Sequence, residues 1–116
     1  MADTSLLSQL QSYLSVTNQR ATVIASNMAN IDTPGYHTKD LDFRREMNRA
    51  MSSPDNTSLT PKTQEVQGLL ERADGNNVDI DQQSLLLAEA QLQYQMGTQL
   101  IKSSFHSDLT AINSGS

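Results

Sequence analysis

The chain has 116 residues, of which 36% are hydrophobic and 4% aromatic, and its formal net charge is −5 at pH 7. This length predicts a single domain over residues 1–116 and leaves no room for a second core. The absence of cysteine excludes disulfides and thiolate metal sites. The mild acidity, without a run of Lys or Arg, argues against a nucleic-acid-binding surface.

The first predicted element is a long helix over residues 5–31. Its apolar or small positions recur at alternating spacings of three and four, which is typical of a helix that lies along other helices. These positions are Leu7, Leu10, Leu14, Thr17, Ala21, Ile24, Met28 and Ile31. The outer face is uncharged apart from Arg20. Because an exposed coiled coil normally carries Glu and Lys beside its seam, uncharged flanks predict neighbours on several sides.

Residues 32–80 are predicted to form an irregular middle segment that begins with a tight turn. In residues 33–36 a proline and a glycine occupy the second and third positions, the pattern of a type II turn. Residues 52–65 are polar and contain two prolines, so we expect a surface linker. Residues 66–72 hold too few apolar positions to decide between one helical turn and a strand.

A short helix is predicted between the turn and the linker. Phe43, Met47 and Met51 recur at four-residue spacing and therefore share one helical face. Asp40 precedes them and is available as the N-terminal cap.

The second long helix is predicted over residues 81–113, after a turn at residues 74–77. Asp79 and Asp81 are both suitable caps, and Asp81 would allow Ile80 to pack on Leu85. The apolar positions are Leu85, Ala88, Leu92, Met96, Leu100, Ile101, Phe105, Leu109 and Ile112, with Leu87, Ala90, Tyr94 and Gly97 on an adjoining stripe. This band is wider than one seam, so we expect neighbours on two sides. Close approach of another helix would explain the glycine, as would simple tolerance.

No residue pattern predicts catalysis, a cofactor or a metal ion. His37 and His106 are isolated from any set of metal ligands. Residues 104–108 hold Ser, His and Asp, but consecutive helical residues point in different directions and form no relay. Residues 74–81 have Val78 at a ligand position of a calcium loop and lack the glycine that such a loop requires at its sixth position, as well as its terminal glutamate. We therefore expect a protein that is not an enzyme.

The two helical patterns predict a mainly α fold. The two long terminal helices pack as a coiled-coil-like hairpin, with an irregular middle segment between them in the sequence. Two helices packed side by side each bury only one apolar stripe. The free energy gained from this burial is small compared with the entropic cost of ordering the chain. We therefore expect the isolated chain to gain much of its order by packing on copies or partners. A marginal helical hairpin with a third short helix is the alternative.

Two sequence motifs resemble those of the rod and hook family of bacterial flagellar axial proteins. Residues 25–36, ASNMANIDTPGY, are similar to the N-terminal signature of that family. Residues 74–81, DGNNVDID, together with Leu87-Ala88 and Leu92-Gln93-Tyr94, are similar to the C-terminal half of its short proximal rod subunits. The signature and turn residues are Asn27, Asn30, Thr33, Pro34, Gly35, Tyr36, Asp74, Gly75, Asn76, Asn77, Val78 and Asp79. Ala90 and Gln83 depart from the asparagine and glutamate that are frequent in relatives.

The resemblance implies a structural subunit of the proximal rod of the flagellar basal body. It implies that the terminal helices are poorly ordered in the monomer and assemble into the inner tube of a hollow rod. It also implies export through the flagellar type III apparatus without a cleaved signal peptide, and a periplasmic location. The implied partners are copies of the chain, other rod subunits, and the adaptor and export-gate proteins at the rod base, with no nucleic acid and no membrane insertion.

We therefore predict that the protein acts by assembly through its terminal helices. The predicted interface residues are Leu7, Leu10, Leu14, Ala21, Ile24, Met28, Ile31, Leu85, Leu92, Met96, Ile101, Phe105 and Leu109. The alternative is a soluble export chaperone or adaptor that presents a helical hairpin to a client. An enzyme ranks far behind both.

Overall fold

The protein is described by a computed structural model that covers residues 4–52 and 61–114. In chain order the elements are helix α1 (Thr4–Ala29), strand β1 (Lys39–Leu41), helix α2 (Phe43–Ser52), strand β2 (Thr63–Glu65) and helix α3 (Ile80–Ser114). The molecule is elongated, with extents of 69 × 26 × 20 Å. The predicted mainly α fold with two long packed terminal helices is confirmed.

Helices α1 and α3 pack along each other in antiparallel directions. Val16 and Ile24 of α1 and Ala90 of α3 are buried in the core. Farther along the pair, a Cβ atom on Gly97 would lie 2.7 Å from Cδ2 of Leu14. The glycine is therefore explained by the close approach of α1, and not by mere tolerance.

The ends of the long helices are set by side-chain caps. Helix α1 ends at Ala29, where Asn30 donates both its backbone N–H (3.1 Å) and its side-chain amide (2.8 Å) to the Ser26 carbonyl. Helix α3 begins at Ile80 because Oδ1 of Asp79 accepts from the N–H groups of Asp81 (3.0 Å) and Gln82 (3.3 Å). Asp79, and not Asp81, is therefore the cap.

Helix α2 folds back over the first half of α1. The Phe43 ring packs edge-on against the Tyr13 ring, with centroids 5.6 Å apart. The predicted Asp40 cap is wrong: Asp42 Oδ1 accepts from the Arg45 N–H (3.2 Å). Asp40 instead forms an ion pair with Arg20 (3.3 Å).

A two-stranded antiparallel ribbon replaces part of the predicted linker. β1 pairs with β2 so that Lys39 faces Glu65 and Leu41 faces Thr63. Residues 63–65 are therefore a strand, while residues 53–60 of that linker lie outside the described part. Residues 66–72 form neither of the two predicted structures, because Gly68 (φ 84°) turns the chain there. Within the described ranges, no helix combines the length and apolarity needed to cross a membrane.

Candidate assembly surfaces

Four amide side chains, Asn27, Asn76, Asn77 and Gln83, form a buried junction between the end of α1 and the start of α3. We call this set the amide junction. Asn27, which is fully buried, donates to the carbonyl of Lys39 (2.7 Å) and to Oε1 of Gln83 (2.8 Å). Its Oδ1 accepts from the N–H of Lys39 and from the Tyr36 hydroxyl, both at 3.0 Å. One side chain thus ties α1 to β1, to the turn and to α3.

Asn76 makes the matching connection from the second half of the chain. Its side-chain amide, also fully buried, donates to the carbonyls of Asn30 and Thr33, both at 2.9 Å. Its Oδ1 accepts from the N–H of Val78 (2.8 Å). The neighbouring Asn77 accepts from the Thr38 N–H (2.6 Å). Because a buried polar group without a partner is costly, this set of bonds specifies one arrangement of the two halves.

Two glycines bring the turns of the junction into backbone contact. The N–H of Gly35 donates to the carbonyl of Asp74 (2.8 Å), and a Cβ atom on Gly75 would lie 3.3 Å from Cα of Gly35. Gly35 has φ of 75°, and Tyr36 N–H donates to the Thr33 carbonyl (3.2 Å), as the predicted type II turn requires. The signature residues therefore hold the subunit's own fold together.

A histidine bracketed by two carboxylates lies beside the junction. Nε2 of His37 is 2.6 Å from Glu71 Oε1, and Nδ1 is 3.5 Å from Glu65 Oε2. Glu71, and after it Glu65, raises the pKa of His37 above its usual 6.5. Both ring nitrogens can donate only when the imidazole is protonated. The pair of contacts thus fastens β2 and residues 66–72 to the turn in a pH-dependent way.

Helix α3 exposes large apolar side chains along most of its length. Its first half exposes the 85–100 stripe, which we define as Leu85, Leu92, Met96 and Leu100. Its second half exposes the 105–112 stripe, defined as Phe105, Leu109 and Ile112. At 100° per residue these stripes lie on different sides of the face that contacts α1. Clusters of exposed apolar side chains of this kind are typical of interaction sites.

Two open grooves flank the contact between α1 and α3. The three-helix groove, about 270 Å³, is lined by residues of all three helices, Leu6, Leu10, Tyr13, Met47, Met96 and Leu100, around Gly97. A second groove, about 540 Å³, lies on the other side of α3 beside Ala90 and Tyr94. The residues that line both grooves carry no Asp, Glu, Lys, Arg or His. They therefore suit uncharged side chains of another helix.

The predicted interface residues fall into three groups by exposure. Ile24 is buried inside the subunit and takes no part in an outer surface. The half-buried group is Leu7, Leu10, Leu14, Ala21, Met28, Ile31 and Ile101. The exposed group is Leu85, Leu92, Met96, Phe105 and Leu109. The free surface is thus concentrated on α3.

The signature residues also divide by burial. Asn27, Asn76, Asn77 and Val78 are buried, and Asn30, Tyr36 and Gly75 are half-buried. Thr33, Pro34, Gly35, Asp74 and Asp79 are exposed at the surface of the turns. Among the buried members, Asn27, Asn76 and Asn77 form side-chain hydrogen bonds that connect the two halves of the chain.

Sequence reasoning missed several buried polar side chains. Thr38 and Glu46 are buried, and Glu46 forms an ion pair with Arg49 (2.7 Å). Gln83 was noted only as a departure, yet it closes the amide junction. The signal available from the sequence was Asp79, a candidate cap followed by a helical pattern. It indicates that the residues before it form the ordered start of a helix. In the part of the chain that the structure describes, no cluster of three acidic or His side chains could hold a metal ion.

The comparisons with known proteins agree on one family. A family model described as "Flagella basal body rod protein" matches residues 7–37. Flagellar basal body rod protein FlgB of Escherichia coli (strain K12) is 34% identical over 90% of this chain and 91% of the relative. FlgB of Salmonella typhimurium (strain LT2) is 29% identical over the same shares. FlgB of Buchnera aphidicola is 27% identical over 79% of this chain and 82% of the relative.

Proposed function

The chain belongs to the flagellar basal body rod proteins and is a structural subunit of the rod, and we propose that it assembles by packing the apolar stripes of α3 against neighbouring subunits. The observation that carries this proposal is the exposure of large apolar side chains along α3. Phe105 is 63% exposed, Leu85 69% and Ile112 68%. Full burial of one such side chain stabilises a contact by about 1.5–3 kcal/mol. Several per subunit, repeated at each copy, support a stable assembly.

The resemblance to proximal rod subunits supports a specific position and specific partners for the subunit. We propose that it lies in the proximal rod, between further rod subunits and the adaptor and export-gate proteins at the base. It is exported through the flagellar type III apparatus and acts in the periplasmic space. The terminal helices gain further order when neighbours cover the two stripes.

The protein acts by packing and not by chemistry. Its relatives carry the name of a rod protein, and no Asp, Glu, Lys, Arg or His lines the two grooves beside α3 to orient a substrate. None of the relatives named above supports the alternative of an export chaperone.

A pair of substitutions in the 105–112 stripe tests this proposal. Phe105→Gln with Leu109→Gln removes apolar surface while keeping a good helix former at both positions. Because both side chains are exposed in the subunit, helicity and the unfolding midpoint should stay unchanged. Rods should become rare, which is measured by counting basal bodies in electron micrographs and by swimming in soft agar.

The matched control is Leu70→Gln, because Leu70 is 92% exposed but lies outside the helices. Cells with this variant should swim normally. Normal rod numbers in cells that carry the double substitution would contradict the proposal.

A further inference from the structure

We propose that the three-helix groove of one subunit receives the α3 face formed by Leu85, Glu89 and Leu92 of a second copy. This inference rests on the proposed assembly function and names the partner surface for one of its sites. The resulting contact joins two different surfaces of the chain.

The lining of the groove suits the side chains of another helix. Its volume is about 270 Å³, and none of the residues that line it is charged. It is lined by Met47 of α2, by Met96 and Leu100 of α3, and by Leu10 of α1. Methionine adapts to irregular apolar surfaces, which suits a site that accepts another helix.

Arg44 places a positive charge at the rim of the groove. Arg44 lies three residues before Met47 and is exposed. Residues three apart are neighbours on a helix surface, so Arg44 borders the groove. The other two arginines of α2 are already used: Arg49 pairs with Glu46 at 2.7 Å, and Arg45 donates to the Lys62 carbonyl at 3.2 Å.

The start of α3 offers the complementary surface. Leu85, Glu89 and Leu92 recur at spacings of four and three and so share one face. Leu85 is 69% exposed, Leu92 is 57% exposed and Glu89 is exposed between them. Neither Glu89 nor Arg44 forms an ion pair within residues 4–52 and 61–114. A single acidic residue within an apolar face thus matches a single basic residue beside an apolar groove.

The geometry of this contact explains why a second copy is the fitting partner. Groove and face share α3, since the 85–100 stripe runs from Leu85 into the groove wall at Met96 and Leu100. Because this stripe and the groove open on the same side of α3, a second copy presents its own start of α3 to the groove when it is turned about the helix axis and displaced along it. A contact between unlike surfaces repeats from copy to copy, whereas a contact between like surfaces stops at a dimer.

Mixed single-cysteine variants test the contact, because the natural chain has no cysteine. One chain carries Leu92→Cys and the other Met47→Cys, so any disulfide joins two chains. A disulfide needs Cα atoms within about 7 Å. Basal bodies from a strain that expresses both variants in place of the natural protein should give the mixed adduct after mild oxidation. The Leu92→Cys chain paired with Leu70→Cys is the control and should not form it.

The same mixture of purified full-length variants at high concentration gives a second measurement, which applies if the cysteine chains do not enter rods. Absence of the mixed adduct from both preparations overturns the proposal. A Leu92→Cys homodimer that forms faster than the mixed adduct also overturns it, since it shows that like faces meet. If the adduct is absent but Phe105→Gln with Leu109→Gln still abolishes rods, the assembly function stands and only this contact is wrong.

Charge exchange tests the ion pair separately. Arg44→Glu or Glu89→Arg alone should lower the yield of adduct about threefold, in the range of exposed ion pairs. The two changes together should restore it. Lys102→Glu, an equal change of charge at another exposed position of α3, should leave the yield unchanged. Failure of the double change to restore the yield overturns the pairing of Arg44 with Glu89.

Discussion

The amide junction and the second half of α3 differ in the kind of side chain that each buries or exposes. At the junction, polar side chains are buried and their hydrogen bonds are made within the subunit. In the second half of α3, the apolar side chains of the 105–112 stripe remain exposed. This difference indicates that the polar signature residues stabilise the subunit itself, whereas the apolar stripe is available for contacts with neighbouring subunits.

The largest expected effect comes from breaking the junction. Asn27→Ala removes four hydrogen bonds and leaves the buried partner groups of Lys39 and Gln83 without a bond. Each such group costs about 1–3 kcal/mol, so the free energy of unfolding should fall by about 4 kcal/mol in urea titrations. A fall below about 1 kcal/mol would show that water replaces the lost amide.

Two truncations of apolar side chains should separate folding from assembly. Leu14→Ala removes a side chain packed at Gly97, so unfolding free energy should fall by about 2 kcal/mol. Phe105→Ala removes an exposed side chain and should change it by less than about 0.5 kcal/mol, yet lower the number of rods. Equal losses of subunit stability, measured by thermal unfolding, would contradict the division between the two regions.

The contact between Gly97 and Leu14 lies between the amide junction and the 105–112 stripe, so substitutions there test the packing of α3 on α1 between the two regions. Gly97→Val places extra atoms against Leu14 and should destabilise the subunit by about 1–3 kcal/mol. Gly97→Ala should be nearly neutral, because better helix propensity offsets the displaced tip of Leu14. Combining Gly97→Val with Leu14→Ala should recover part of the loss. A double variant no better than the sum of the single ones would show that the two residues do not touch.

The smallest effect should be a pH dependence at the edge of the junction. The pKa of His37 is raised in the folded chain by Glu71 and Glu65. Its stabilisation is therefore fully present below pH 6.5, the unfolded value, and is lost as the pH rises through the higher folded pKa. In the His37→Gln variant, the unfolding midpoint should depend less on pH across this range. A wild-type slope that persists in this variant would assign the dependence to another group.

Much of the helical framework could be predicted from local pattern. The spacing of apolar residues, the proline after residue 33 and Asp79 as a candidate cap placed α1 and α3 within two residues at each end. The type II turn followed from one proline and one glycine. These features depend on neighbours in sequence, which is why a single chain reveals them.

The remainder depends on partners distant in sequence. β2, with Thr, Gln and Glu all exposed, has no alternation of apolar and polar residues, and it becomes a strand only because β1 pairs with it. Likewise, an asparagine that will be buried, such as Asn27, is indistinguishable by composition from an exposed one. Periodicity also left open which of the apolar stripes of α3 faces α1, and only Gly97 marked that side.

The backbone contact between Gly35 and Gly75 has a consequence for the order in which the chain can fold. The two glycines, like Asn27 and Gln83, come from opposite halves of the sequence. A chain that emerges from its N-terminus onward therefore cannot close this contact until residues 74–83 have also emerged. Contacts of such long sequence separation form slowly, because the loop must close first. A subunit that is still emerging in either direction therefore stays open at this contact until both partner segments are free.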